Sequence, residues 1–98
     1  MIFPVVFREA ALTEFHEAAA YYETQRLGLG VEFTQEVERS VARIAQHPHI
    51  YPTVYDRMRR VTVRRFPFMI YFYLESHQVT ITSIFHSSRN PMIWRDRN

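Results

Sequence analysis

Five arginines crowd into nine residues of this chain, Arg57, Arg59, Arg60, Arg64 and Arg65 in the stretch "DRMRRVTVRR". A guanidinium is planar, permanently charged and forked, so it grips phosphate or carboxylate through paired hydrogen bonds where lysine offers a point charge. Guanidiniums alternating on one strand face can track a phosphate backbone or stabilise charge in a phosphoryl transition state. The plainer account is an edge strand kept from aggregating by its charge. Further on, "FHSSRNPMIW" gathers His86, Ser87, Ser88, Arg89 and Trp94 where a strand-like run stops. His86 has the chemistry of a general base or acid, and Arg89 that of an anion or partner contact. A hydrogen-bonded strand end is the structural alternative for His86, and a lid packed on the sheet edge is the alternative to a stacking role for Trp94. No "GxSxG" elbow exists, which argues against serine-hydrolase chemistry. His47 and His49 in "HPH" have metal-ligand spacing, but no cysteine or nearby acid cluster completes a site, so neither metal nor cofactor is expected. Interaction with a helix dipole is the ordinary role for two such histidines.

The charge of the chain is segregated. The net charge is +2, yet residues 1–55 hold four Arg and seven acids, a balance of −3, and residues 56–98 hold eight Arg and three acids, a balance of +5. There is no lysine. Genome codon bias can account for that, but not for the segregation, which points to an anionic partner. With 98 residues, 47% of them hydrophobic and only seven Gly plus Pro, the chain reads as one globular domain over residues 1–98. No apolar run approaches the roughly 18–20 residues of a membrane span, and "MIFPVVFREA", with no basic leader or small-residue cleavage site, reads as a first strand rather than a signal peptide. The absence of cysteine makes the cytoplasm the expected compartment.

The elements that must position these residues follow from periodicity. "IFPVVF" (2–7) is β-branched and aromatic, and Pro4 fits an edge or first strand. Leu12, Phe15, Ala19 and Tyr22 recur at helical spacing, predicting an amphipathic helix over 9–25. "RLGLG" breaks it. Phe33, Val37, Val41 and Ile44 predict a second helix over 29–46, with Pro48 as its stop, so the pair forms an antiparallel hairpin. "HIYPTVYDR" reads as an irregular crossing. Three strands follow, in "MRRVTVRRF", "FMIYFYLE" and "QVTITSIFH", the last two joined by a hairpin turn at "ESHQ". The order β-α-α-β-β-β implies an α+β fold, with the helical hairpin on one face of a mostly antiparallel sheet. Strict alternation assigns Val61, Val63, Phe68, Ile70, Phe72, Leu74, Val79, Ile81 and Phe85 to the helix side. It leaves Arg60, Thr62, Arg64, Met69, Tyr71, Tyr73, Thr80, Thr82 and His86 on a solvated face. Tyr71 and Tyr73 would stack on bases there, and Arg57, Arg59 and Arg89 would rim it.

In order along the chain, "FREAALTEFHEAAAYYE", the glycine link, a second helix ending in "HP", "RRFPFMIYFYLE" and "ITSIFHSSRNPMIW" resemble the RelE/ParE superfamily of type II toxins, which includes plasmid-stabilisation proteins. The resemblance spans nearly the whole length. It implies the β-α-α-β-β-β toxin fold and a growth-arresting cytoplasmic toxin neutralised by a cognate antitoxin. RelE-like members cut mRNA on the ribosome with basic residues of the open sheet face, whereas ParE-like members inhibit DNA gyrase. By position, Arg89 matches the arginine that nucleases use after the last strand. Their third-strand arginine falls at Met69, and a thioether cannot stabilise a charged phosphorane. A nuclease would have to draw on Arg64, His86 and Arg89. Gyrase-type, non-nuclease action is therefore the first expectation and ribosome-dependent, metal-independent mRNA cleavage the second. An antitoxin-binding protein of little toxicity, or a general RNA-binding module without antitoxin, are the further alternatives. For target or anion binding the candidates are Arg57, Arg59, Arg60, Arg64, Tyr71, Tyr73 and Arg89.

Overall fold

A computed structural model describes residues 2–88. Strand β1 (Val5–Phe7) leads into helix α1 (Glu9–Gln25) and helix α2 (Leu29–Gln46); a 3-10 turn (Pro48–Ile50) then precedes β2 (Thr53–Tyr55), β3 (Met58–Thr62), β4 (Phe68–Glu75) and β5 (Gln78–His86). The five strands form one sheet in the order β1-β5-β4-β3-β2. β1 pairs with β5 in parallel, Val5 opposite Val79; the other pairings are antiparallel. Fold class and element order agree with the sequence reading. One strand was not expected: the crossing "HIYPTVYDR" contains β2, three residues whose pairing with β3 shifts in register between Thr53 and Tyr55.

The two helices cover one face of the sheet. Phe33, Val37 and Ile44 of α2 and Ala11 and Ala18 of α1 pack on Ile70, Phe72, Val79, Ile81 and Ile84. Phe33 sits among aromatic rings, with Tyr22 at 5.1 Å and Phe68 at 5.0 Å between centroids. Such offset and edge-on pairs add modestly to the area they bury. The hairpin itself is tied by Glu23. Its carboxylate accepts the N–H groups of Gly28 and Gly30, both at 3.0 Å. These are donors at the start of α2 that have no partner inside the helix, and a negative charge is favoured there. Gly28 holds the left-handed conformation (φ 88°) that the turn between the helices requires. Among the described residues no helix is long and apolar enough to cross a membrane.

Strict alternation fails on β5, for a local reason. Tyr71 pairs with Ser83 but Phe72 pairs with Ile81, so Thr82 is an extra residue in β5, a β-bulge. Its hydroxyl donates to the Tyr71 carbonyl at 3.2 Å, and its side chain is fully buried. One inserted residue reverses the facing of everything after it. Ile84 therefore turns into the helix-side core, Phe85 turns to the other face, and His86 turns to the helix side, which corrects the sequence assignment of Phe85 and His86. The second face is corrected as well. Rather than being solvated, it carries its own apolar cluster of Met58, Tyr71, Tyr73 and Phe85, with Val54 and Met69 packed against it.

Candidate target-binding surface

The arginine run follows β3, so its members part company. Residues 58, 60 and 62 face the second cluster and residues 59, 61 and 63 face the helices, as the pairings Arg60–Tyr71 and Val61–Ile70 require. Arg57 stands in the β2–β3 turn. It lies 3.6 Å from Glu75, and its guanidinium sits 5.5 Å from the centre of the Tyr73 ring, while remaining largely exposed. Arg59 points to the helix side and donates to the Tyr51 carbonyl at 2.6 Å and the His49 carbonyl at 3.4 Å. That clamps the 3-10 turn and removes Arg59 from the anion-binding set. Arg60 is half-buried opposite Tyr71, and Arg64 is exposed in the β3–β4 loop. Neither makes a side-chain hydrogen bond or ion pair among the described residues. From Arg57 to Arg64 the strand spans on the order of 20 Å. The cations thus form a line along one side of the sheet rather than a single pocket.

Arg65, grouped by sequence with its neighbours, behaves differently. It holds φ 71° and reaches back to α2, 2.7 Å from Glu32 and 3.7 Å from the buried Glu36. The Arg65 hydrogen bond, and after it the Arg26 charge, hold the Glu32 carboxyl below its usual range against the opposing effect of burial. Arg26 meets the same carboxylate at 3.2 Å. Arg65 therefore fastens the β3–β4 loop to the helical layer. No local pattern signals this, because Glu32 lies 33 positions away in the chain.

The tyrosines expected as stacking platforms are enclosed. Tyr71 is 3% and Tyr73 5% exposed. Burial, ahead of the nearby Asp56 carboxylate, pushes the Tyr73 phenol up. The Tyr71 hydroxyl donates toward the Met69 sulfur at 3.7 Å. Rings so deeply buried present no face to a base, and this corrects the stacking role assigned to Tyr71 and Tyr73.

His86 ends β5 on the helix side, edge-on to Phe68 at 5.1 Å. The backbone N–H of Ser88 donates to its Nδ1 at 3.1 Å, and the Ser88 hydroxyl lies 2.8 Å from the same nitrogen. A backbone amide can only donate, so Nδ1 is the accepting nitrogen and the ring proton resides on Nε2. His86 and Arg60 consequently occupy opposite faces of the sheet. Arg89 and Trp94 lie outside the described residues. Among the described residues no group of three or more His, Cys, Asp or Glu could hold a metal ion. His47 and His49 are both exposed near the C-terminal end of α2, with the His49 ring edge-on to Phe3.

Solved structures share this architecture. The chromosomal ParDE toxin–antitoxin system from P. aeruginosa contains a chain that superposes with a TM-score of 0.75 at 16% identity, covering 87% of this chain and 96% of that one. A chain of the intact E. coli RelBE toxin–antitoxin complex gives 0.62 at 15% identity, covering 89% and 99%. The isolated E. coli RelE toxin gives 0.62 at 14% identity, covering 96% and 94%. At these identities the likeness is one of fold. No curated protein matches the chain. The family model for the ParE toxin of the type II toxin–antitoxin system parDE matches residues 5–91. With that match spanning nearly all of its length, the chain belongs to the ParE toxin family of type II toxin–antitoxin systems.

Proposed function

We propose that this chain is a single-domain toxin of the bacterial cytoplasm. It is held inactive by a cognate antitoxin and arrests growth by ParE-like inhibition of DNA gyrase rather than by cutting mRNA. The family match supports the toxin assignment, and the ParDE and RelBE systems supply the precedent for an antitoxin partner. One observation carries the non-nuclease reading. Metal-free RNA cleavage needs a base, an acid and a cation converging on one phosphate. Here the central strand position holds Met69, packed against Tyr71, and His86 faces away from Arg60 with Nδ1 already engaged. The free cations Arg60 and Arg64 suit a binding line for an anionic surface of the target.

The test is to induce the protein alone and follow two readouts. Purified protein is expected to inhibit gyrase supercoiling of plasmid DNA, while primer extension on cellular mRNA shows no codon-positioned cuts. Arg60→Ala with Arg64→Ala should weaken growth arrest while changing stability by less than about 1 kcal/mol, as exposed or partly exposed sites outside the core usually do. Strong codon-specific cuts that disappear in His86→Ala or Arg64→Ala would overturn this and establish RelE-like cleavage.

A further inference from the structure

Helix α1 carries four glutamates, Glu9, Glu14, Glu17 and Glu23, and no arginine or lysine. Two of them are spent within the fold: Glu23 on the start of α2, and Glu14 Oε1 on the N–H of Ile84 at 3.0 Å. Glu17 has no hydrogen bond or ion pair among the described residues. It borders a groove of about 230 Å³ between α1 and the ends of β4 and β5. The floor is apolar, formed by Ala18, Phe68 and Ile84. Glu14, Glu17 and Tyr21 stand along its rim at i, i+3 and i+7, which places them on one stripe of the helix. Tyr21 is 60% exposed although aromatic. His86 closes the far end.

We propose that this groove receives a basic side chain, arginine or lysine, from an apolar-flanked segment of the antitoxin. The proposal rests on the toxin–antitoxin reading above. Volume argues for a side chain, because sites for small-molecule ligands run from about 300 Å³ upward. Chemistry selects a cation with a long apolar stem. The stem lies on Ala18 and Phe68, the charged head meets the Glu17 carboxylate, and the Tyr21 ring offers a face to a guanidinium. The surface at β3 has the opposite sign, with Arg60 and Arg64 free of ion pairs among the described residues. An antitoxin segment spanning both regions would therefore be bipolar, basic at α1 and acidic at the arginine line. That fixes its direction along the toxin and gives specificity through charge matching.

The experiment uses the full chain with the protein encoded beside its gene, and measures Kd by calorimetry. Glu17→Arg should weaken binding by about tenfold or more, and Glu17→Gln by a smaller factor, because each removes the carboxylate partner of a charged side chain. Glu9→Arg makes the same charge change on the same helix away from the groove and should stay within about twofold. Thermal unfolding verifies that each variant is folded. Wild-type-like binding by Glu17→Arg, or equal losses in Glu17→Arg and Glu9→Arg, would overturn the groove as the docking site. Failure of the wild-type protein to bind, with growth arrest unrelieved by its neighbour, would instead sink the toxin–antitoxin reading and this occupant with it.

Discussion

Replacing Gly30 with alanine tests how closely the helical hairpin is closed. A Cβ placed at Gly30 would lie 2.6 Å from the Ala19 carbonyl oxygen, 3.0 Å from Glu23 Oε1 and 3.1 Å from Glu23 Cβ. Ordinary contact begins near 3.4 Å, so the helices must part by about 0.8 Å at this point. The carboxylate can swing aside, but the Ala19 oxygen belongs to the backbone of α1 and cannot. Parting α1 from α2 also loosens Phe33, one turn along, from Tyr22 and Phe15. Overpacking of this kind costs about 1–3 kcal/mol. The gain in helix propensity from Gly to Ala returns less than about 1 kcal/mol. The net loss is about 1–2 kcal/mol, a fall in Tm of roughly 5–15 °C for a domain of this size. Circular dichroism melts and urea titration of Gly30→Ala against wild type measure it. An unchanged or higher Tm would refute the close-approach argument. It would mean either that the helices part at no cost or that Gly30 serves only as a turn residue.

Ile84→Ala should destabilise by about 2–5 kcal/mol in urea titration, because the bulge at Thr82 turns Ile84 into the core; a loss under about 0.5 kcal/mol would show that Ile84 is not buried. Arg65→Ala should be less stable than wild type at neutral pH through loss of its pairs with Glu32 and Glu36. Glu32 has a depressed folded pKa, so its contribution is present above the unfolded carboxyl pKa and is lost as pH falls through the folded value. The stability gap between wild type and Arg65→Ala should therefore narrow under acid; a gap that stays constant with pH would show that packing, not the ion pair, holds the loop.

Both helices and the central strand were legible because each has a full-length periodic signal. Glu9–Gln25 and Leu29–Gln46 match the spans that the apolar spacing predicts, and Phe68–Glu75 matches the alternating run. β5 was found, and with it the facing of Val79 and Ile81, but not the facing beyond Thr82. In "VTITSIF" the residues Thr80, Thr82 and Ser83 are all small and hydroxylated, so either phase leaves an acceptable pattern, and only pairing with β4 places the extra residue. β2 is too short for periodicity to register. The candidate surface was legible as composition and not as geometry. Five neighbouring arginines look alike in sequence, yet Arg59 caps carbonyls, Arg65 binds α2, Arg57 shares Glu75, and only Arg60 and Arg64 lack such partners among the described residues. Those fates depend on contacts between residues distant in the chain. The burial of Tyr71 and Tyr73 likewise depends on Met58 and Phe85 arriving from the neighbouring strands.

The parallel pairing of β1 with β5 carries a consequence for when the protein becomes active. The helical hairpin is built from local contacts and can form as soon as α2 is synthesised. β1 cannot: Val5 waits for Val79, and Glu14 waits for the Ile84 N–H, 70 positions later. Contacts of such long sequence separation form slowly, since a large loop must close before any pairing rewards it. Translation proceeds at about 5–20 residues per second, so for several seconds a nascent chain carries both helical segments without the sheet on which they pack. The arginine line needs β3 docked on β4, and β4 gains its other neighbour only with β5. The α1 groove needs the end of β5 itself. Neither surface is complete until β5 has been made, so the activity and the partner docking proposed for them must wait for the last strand of the sheet.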